Sequence, residues 1–507
     1  MALVPEVLSS SAPRALAAID IGSNSFRLEL GRVASGRYRR DDYLKETVRL
    51  GAGLDEQSCL TEAAFERGLA TLASFAKRLQ GFDPTRLRAV ATQTLREARN
   101  RDEFLRAAQR VLGFPIEVIS GREEARLIYT GVSFLQRSDE PRLVVDIGGR
   151  STELILGEGR APREAESFPV GSVGLSMRYF SDGRMTSQAF RAAQIAAGAE
   201  FEEALTEFAP TLWTQALGSS GTVGAVSHVL RESGATDGAI TVPALASLIE
   251  QCIAAGHVDR LQVPGLRDDR RAVIPGGLAI LYTLLTHFGI ERLLPAKGAL
   301  RQGVLIDLHE RLLAQRPGAR GQDARDVTVA GLQGRFDVDV GQAQLVRDTA
   351  LLLHDAAWPD ADPQARRELA WACDLHELGL AVSHHDYHRH SAYLMAHMDA
   401  PGFSQSQQRR IGQLVLAQRG GLRKVEEALA DPLFAWQALC LRLAVIRCHA
   451  RGIQPSMAYR LSRRNGRVAL LGWESTLDSP NPRTLHLLQE EVQAWERQGS
   501  LRLELVH

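Results

Sequence analysis

Cysteine is scarce in this chain, five among 507 residues, and no two stand in the CxxC spacing used by zinc ribbons and dithiol redox sites. Scattered thiols of this kind read as reduced and mostly buried, which fits a cytoplasmic protein and excludes a disulfide-stapled secreted scaffold. Long hydrophobic runs are missing as well. No stretch of about 18 apolar residues occurs, so no integral membrane association is expected. Net charge is also absent, because 60 Lys and Arg balance 60 Asp and Glu. No global field would steer a polyanion to such a surface; no nucleic-acid partner is expected, and affinity for a phosphate chain must come from local clusters. The first 14 residues lack the basic segment and apolar core of a secretion signal and read as a disordered lead.

What is present begins with a repeat. Ala18-Ile19-Asp20-Ile21-Gly22-Ser23-Asn24-Ser25-Phe26-Arg27-Leu28-Glu29-Leu30-Gly31 aligns without gaps with Val144-Val145-Asp146-Ile147-Gly148-Gly149-Arg150-Ser151-Thr152-Glu153-Leu154-Ile155-Leu156-Gly157, 126 positions later. Each copy runs from an apolar strand through Asp and a small-residue turn into a second apolar strand, the pattern of a β-hairpin. Such a turn exposes backbone N–H groups and hydroxyls as an anion nest, and phosphate is the natural anion. One Asp-x-Gly turn alone is explained by turn propensity. Two matched turns point to a shared cleft lined by Gly22, Ser23, Asn24, Ser25, Gly148, Gly149, Arg150, Ser151 and Thr152. Asp20 and Asp146 are suitable hard oxygen ligands for Mg²⁺ there.

Four further segments add candidates. Ser120 and Glu123 have the spacing of a helix-capping box, which accounts for Glu123. Glu124 points about 100° away around the helix. It is either solvated or a general base beside bound phosphate. Thr94 and Glu97 form a second expected box, which places Arg96 in a first helical turn against the dipole. Arg96 either meets an anion there or reaches solvent or Glu97. Gly218, Ser220, Gly221 and Thr222 form a glycine loop entering a helix, suited to phosphate or a nucleoside. Arg267, with Arg270 and Arg271, makes a basic patch that would hold a long anion or simply be solvated.

Interleaved patterns give a layered α/β organisation. Helices are expected at Glu62 to Leu79, Leu95 to Leu112, from Gly121, and at Pro275 to Phe288. Strands are expected at Leu87 to Thr92 and Pro115 to Ser120, with a strand-turn-helix at Gln215 to Leu230. The expected domains are 15–135, 136–308, a helical 309–455 whose start includes a linker, and a small α+β domain over 456–507. In the last, Arg467 to Leu471 and Leu501 to Leu505 alternate as strands around a helix at Arg483 to Arg497.

Together these motifs resemble the exopolyphosphatase / guanosine pentaphosphate phosphohydrolase family, in the superfamily of actin, sugar kinases and heat-shock chaperone ATPases. The resemblance covers nearly the whole chain and is most specific at Asp20 to Phe26, Thr94 to Asn100, Ser120 to Leu127, Asp146 to Glu153, Gly218 to Thr222 and Gly298 to Gly303. It implies duplicated actin-like (ribonuclease H-like) α/β domains, then an all-α HD-like domain and a small α+β domain. It implies hydrolysis of a terminal phosphate with Mg²⁺ or another divalent cation, is compatible with K⁺ activation, and suggests a homodimer. Glu124 falls on the family's catalytic Glu, Arg96 on its phosphate-binding Arg, and Asp146 and Glu153 on its metal-proximal acids. Inorganic polyphosphate is the first substrate expected and guanosine pentaphosphate the alternative, since both offer a terminal phosphoryl group. A non-catalytic sensor is a further reading, while Glu124 with Arg96 argues against a sugar kinase.

Two departures stand out. The third Gly of the family's second turn is Arg150 here, and the acids that flank Gly298-Ala299-Leu300-Arg301 are Lys297 and Gln302. Histidines at 354, 376, 384, 385, 388, 390 and 397 invite a metal reading of the helical domain. However, where HD-type hydrolases have a His-Asp metal pair this chain has His376-Glu377, and no metal is expected there.

Overall fold

A computed structural model describes residues 14–315, 323–451, 457–475 and 482–506. The chain divides into two compact units, Met1–Gln322 and Asp323–His507.

The first unit holds two five-stranded sheets. One contains β1 (Leu16–Ile21), β2 (Phe26–Ala34), β3 (Arg37–Glu46), β4 (Leu87–Ala91) and β5 (Ile116–Val118), in the order β3-β2-β1-β4-β5. The other contains β6 (Arg142–Ile147), β7 (Thr152–Glu158), β8 (Ala161–Phe168), β9 (Gln215–Ser219) and β10 (Leu293–Pro295), in the order β10-β9-β6-β7-β8. Read outward from the hairpins, the two orders are the same. β1 and β6 each pair antiparallel with the next strand and parallel with the strand after the first helical excursion. The repeated phrase therefore maps strand onto strand, with Asp20 across from Arg27 and Asp146 across from Glu153.

The helices of this unit are α1 (Glu62–Arg78), α2 (Gln93–Glu97), α3 (Arg101–Leu112), α4 (Gly121–Leu135), α5 (Ser172–Tyr179), α6 (Ser187–Phe201), α7 (Ser220–Glu232), α8 (Val242–Ala255), α9 (Asp268–Arg271), α10 (Ile274–His287) and α11 (Leu300–Ala314). The single helix expected over Leu95 to Leu112 is two. Ala98 turns extended, and the Asn100 amide ties both the N–H and C=O of Leu60, at 2.8 and 3.0 Å, so the chain bends there. The Thr94–Glu97 box is replaced as well. The short helix α2 starts at Gln93 after Thr92, which puts Thr94 inside it and Arg96 in its last turn, where the dipole favours a cation.

α4 and α11 lie between the sheets. Ile128 and Val132 of α4 and Val304 and Leu305 of α11 close a core with Ala18 and Val90 from one sheet and Val144, Ile155 and Leu217 from the other. Their approach is so close that a Cβ on Gly303 would stand 1.7 Å from Leu127 O. Beside this seam lies a buried ionic network. Asp307 takes Arg88 at 2.8 Å, Arg126 at 2.7 Å and Arg311 at 2.6 Å, while Glu123 takes Arg126 at 2.7 Å. α11 continues to Ala314, past the expected boundary at 308.

Gln302 has its explanation here. Its buried amide donates to both oxygens of Glu29, at 2.7 and 2.8 Å, and Arg301 Nε donates to Glu29 Oε2 at 2.6 Å. The acid absent from position 302 is supplied by β2. Gln302→Glu would put two buried carboxylates at hydrogen-bond distance and is expected to destabilise the chain by about 2 kcal/mol near neutrality. The loss should shrink as acid lets the pair share a proton, and urea unfolding at two pH values measures it.

The second unit carries α12 (Ala324–Arg335), α13 (Val340–Ala357), α14 (Pro363–Asp374), α15 (Tyr387–His397), α16 (Gln405–Ala417) and α17 (Pro432–Arg447). These are followed by β11 (Met457–Arg464), β12 (Val468–Ser475), α18 (Pro482–Gln498) and β13 (Arg502–Val506). Strands β11-β12-β13 form a small sheet, antiparallel and then parallel, with α18 as the crossover. Phe403, Phe434 and Trp436 share one core with Leu461, Leu471 and Trp495. The expected lead, the Arg316 to Arg320 part of the linker and the 455/456 boundary lie outside the described residues.

Candidate functional site

The two hairpin turns face one cleft of about 310 Å³. Each turn spans four residues, 22–25 and 148–151, between two buried and largely apolar strands. Gly22, Ser23, Asn24 and Ser25 line it from one side, and Gly148, Gly149 and Ser151 from the other. Ser220, Gly221 and Thr222, at the start of α7, form a third wall. Ser220 sits there with φ 88°, a left-handed backbone that is costly for serine and typical of constrained ligand loops.

Acids and cations share the cleft, and Arg27 Nη1 donates to Asp20 Oδ2 at 2.8 Å. Asp20, Asp146 and Glu124 face it, with exposures of only 4, 9 and 8%. Burial first, and then the charges of Asp146 and Asp20, push the Glu124 carboxyl up to about 7 against the pull of Arg96. Burial also pushes Asp146 up to about 6, despite Ser219 and Arg27. Glu153 stands behind them, raised well above the usual carboxylate range by burial and by Glu124 and Asp146. The cations that line the cleft are Arg27, Lys45, Arg270, Lys297 and Arg301. Burial and then Arg270 and Arg27 lower Lys45, while burial and then Arg27 lower Arg270. Cations that repel one another in a desolvated wall favour an anion between them.

Several expected contacts fall elsewhere. Arg150 does not line the cleft: its guanidinium pairs with Glu97 at 2.7 Å and reaches Gly51 O at 3.2 Å. Thr152 is buried and donates to Val170 O at 2.6 Å. Gly218 packs under Val223 and Leu293. Arg267 is exposed, with its side chain on Asp269 at 3.1 Å. Its neighbour Arg270 enters instead and packs against Gly221, where a Cβ would stand 2.3 Å from Arg270 Nη2. Arg96 is one layer back, its Nη1 donating to Glu124 Oε2 at 2.8 Å. Tyr43 and Lys45 on β3 are among the lining residues that sequence reasoning missed, whereas Arg270 belongs to the expected basic patch, in which it and not Arg267 reaches the cleft.

The donor set suits a divalent cation. Asp20 and Asp146 come from the ends of β1 and β6, Asp20 keeping one oxygen beside the Oδ2 that Arg27 takes at 2.8 Å, and Glu153 Oε2 is buried without a hydrogen-bond partner. Among the described residues no three His, Cys, Asp or Glu side chains form a ready cage. Mg²⁺ requires none, since it commonly takes one or two carboxylates and completes its shell with water and phosphate oxygens.

The raised carboxyls make a pH prediction. Glu124 and Asp146 hold their protons more tightly folded than unfolded, so they favour the folded chain in acid, and this contribution is lost as pH rises through about 6 and 7. A base that must be ionised works in the opposite direction: kcat/KM is expected to rise with pH up to about 7 and then level. Added Mg²⁺ should move that limb to lower pH. A rate that stays flat down to about pH 5 would remove Glu124 from the role of base.

The second unit contains a larger cavity, about 1190 Å³, lined in part by His376, Glu377, Arg442 and Glu491. Its buried charges are paired, Arg442 with Glu491 at 2.5 Å and Glu377 with Arg451. His376 Nδ1 lies 2.6 Å from Cys373 O.

Among the described residues, no helix is long and apolar enough to cross a membrane. Residues 42–312 match the Ppx/GppA phosphatase family, and residues 324–491 match Ppx/GppA phosphatase, domain III. A guanosine-5′-triphosphate,3′-diphosphate pyrophosphatase of Aeromonas hydrophila is 38% identical over 442 residues, 86% of this chain and 88% of its own. An exopolyphosphatase-like protein of known structure is similar with TM-score 0.54 and 26% identity, over 59% of this chain and 98% of its own. The Aquifex aeolicus PPX-GPPA enzyme gives TM-score 0.50 and 26% identity, over 58% of this chain and 99% of its own. The family match spans more than half of the chain and the Aeromonas relative is 38% identical over most of it, and on that ground the chain belongs to the Ppx/GppA phosphatase family and is a hydrolase.

Proposed function

We propose that this chain hydrolyses the terminal phosphoanhydride of guanosine pentaphosphate, releasing orthophosphate and leaving guanosine tetraphosphate. The chemistry is carried by one observation: Glu124, a buried carboxylate lifted to about 7, faces the two anion-nest turns from the first turn of α4. The choice of nucleotide is supported by the Aeromonas relative, and it reverses the order of substrates expected from the sequence.

Asp20 and Asp146 would hold Mg²⁺, with Glu153 behind, and the bound ion would neutralise charge on the phosphoryl oxygens. Amides of the two turns and of the α7 loop would orient the terminal phosphate, with Lys45 and Arg270 on the rest of the anion. Glu124 would take a proton from water as its oxygen attacks the terminal phosphorus. The bond from that phosphorus to the bridging oxygen then breaks. Arg96 would hold the Glu124 carboxylate in line from the layer behind it. K⁺ activation and a homodimer belong to the same proposal. So do the descent of the two sheets from a duplicated actin-like domain and an HD-like helical unit without its own chemistry.

The test offers guanosine pentaphosphate and long-chain polyphosphate in parallel to purified protein with Mg²⁺. A higher kcat/KM for the nucleotide supports the proposal. A higher value for polyphosphate makes the chain an exopolyphosphatase, and tight binding without release makes it a sensor.

A further inference from the structure

Arg150 replaces a glycine of the resembling family, and its surroundings give it a different task from phosphate binding. Beside it the two turns abut: a Cβ on Gly149 would stand 3.1 Å from Ser23 Cβ and 3.5 Å from Asn24 N. Arg150 reaches past this contact into the first half of the unit. Its Nε and Nη2 donate to Glu97 Oε2 at 2.8 and 2.7 Å, and its Nη1 to Gly51 O at 3.2 Å. No left-handed backbone is needed at Arg150, so the replacement leaves the turn unstrained.

The contacts continue inward. Glu97 Oε1 accepts from Gln93 Nε2 at 2.6 Å, and Gln93 Oε1 accepts from Arg96 Nε at 2.8 Å. Arg96 Nη1 then donates to Ile119 O at 3.0 Å and to Glu124 Oε2 at 2.8 Å. Both oxygens of Glu97 and both ends of the Gln93 amide are used, which leaves Arg96 one direction of approach to Glu124. Charge-assisted hydrogen bonds of this kind are short and stronger than neutral ones.

We propose that Arg150 is a positioning residue: it latches the second turn to the first half of the unit and, through Glu97 and Gln93, sets how Arg96 meets Glu124. The kinetic consequence rests on the hydrolysis proposed above; the latch itself does not.

The test compares Arg150→Gly, Arg150→Lys, Glu97→Gln, Gln93→Ala and the double variant Arg150→Gly/Glu97→Gln in the full chain. Arg150→Gly is expected to lower kcat about 10-fold with KM within about 2-fold, the signature of lost alignment. Gln93→Ala should match it, Arg150→Lys should fall between, and the double variant should be no worse than the poorer single one. A KM rise of about 10-fold at unchanged kcat would make Arg150 a substrate contact and overturn the proposal. Multiplicative losses in the double variant, or an unaffected Gln93→Ala, would overturn it too. If the wild-type chain releases phosphate from neither substrate, the functional reading fails and the latch is judged by thermal unfolding alone. Melting-temperature losses of the two singles that are sub-additive in the double sustain it, and additive losses overturn it.

Discussion

Glu124→Gln is expected to lower kcat for phosphate release at least about 100-fold while leaving substrate affinity nearly unchanged. The amide has the carboxylate's volume and still accepts from Arg96 Nη1, so the 2.8 Å contact and the packing of α4 can persist. What it loses is the ability to take a proton from water. Binding should survive because the anion-holding groups lie elsewhere, on the two turns, the α7 loop and the cations that line the cleft. The variant should also lose the pH dependence below about 7 that the raised Glu124 carboxyl imposes. Phosphate release and equilibrium binding of the nucleotide, measured side by side, check both halves. A variant that keeps most of its turnover would shift the base role to another group.

The largest stability effect is expected at a residue outside the cleft. Asp307→Ala should destabilise the first unit by about 3–5 kcal/mol, the scale for breaking a buried ionic cluster. Arg88, Arg126 and Arg311 all converge on this one carboxylate, which is 3% exposed. Burial alone would raise the Asp307 carboxyl, but Arg311, Arg126 and Arg88 hold it far below the usual carboxylate range. Its removal leaves buried guanidinium groups short of countercharge. Calorimetry of the full chain would read the change as a lower melting transition for the first unit, and an unmoved transition would mean the network adds nothing to stability.

The hairpins were legible because two independent signals agreed, apolar alternation and a gapless repeat, and a strand-turn-strand needs little more. Glu124 was legible because adjacent helical residues cannot face the same way: the Ser120 box accounted for Glu123, although only the Glu123 N–H meets Ser120 Oγ and its side chain pairs with Arg126, while Glu124 faces the cleft. Other features were hidden by tertiary context. The strand β3 carries Arg37, Arg39, Arg40, Asp41 and Asp42, a composition that resembles a loop until β2 pairs with it, so Tyr43 and Lys45 were missed. Arg150 looked like a cation aimed at phosphate, because its partner Glu97 lies 53 positions away and was assigned to a helix cap. The break after α2 depends on Asn100 binding the distant Leu60 backbone, which no local propensity reveals.

The same charged strand has a consequence for how copies of this chain could meet. Each large sheet has two outer edges, and unpaired edge N–H and C=O groups are templates for pairing with another chain. Here one edge of each sheet is a three-residue strand, β5 or β10, too short to seed a continuous ladder. The other edges are β3, dense in charge, and β8, with Pro162, Arg163, Glu164 and Glu166. Extending either large sheet into a neighbouring molecule would bury dense charge or strand a backbone acceptor at proline. The four flanks of the two large sheets are therefore guarded against strand-to-strand pairing, by shortness on one edge and by charge or proline on the other.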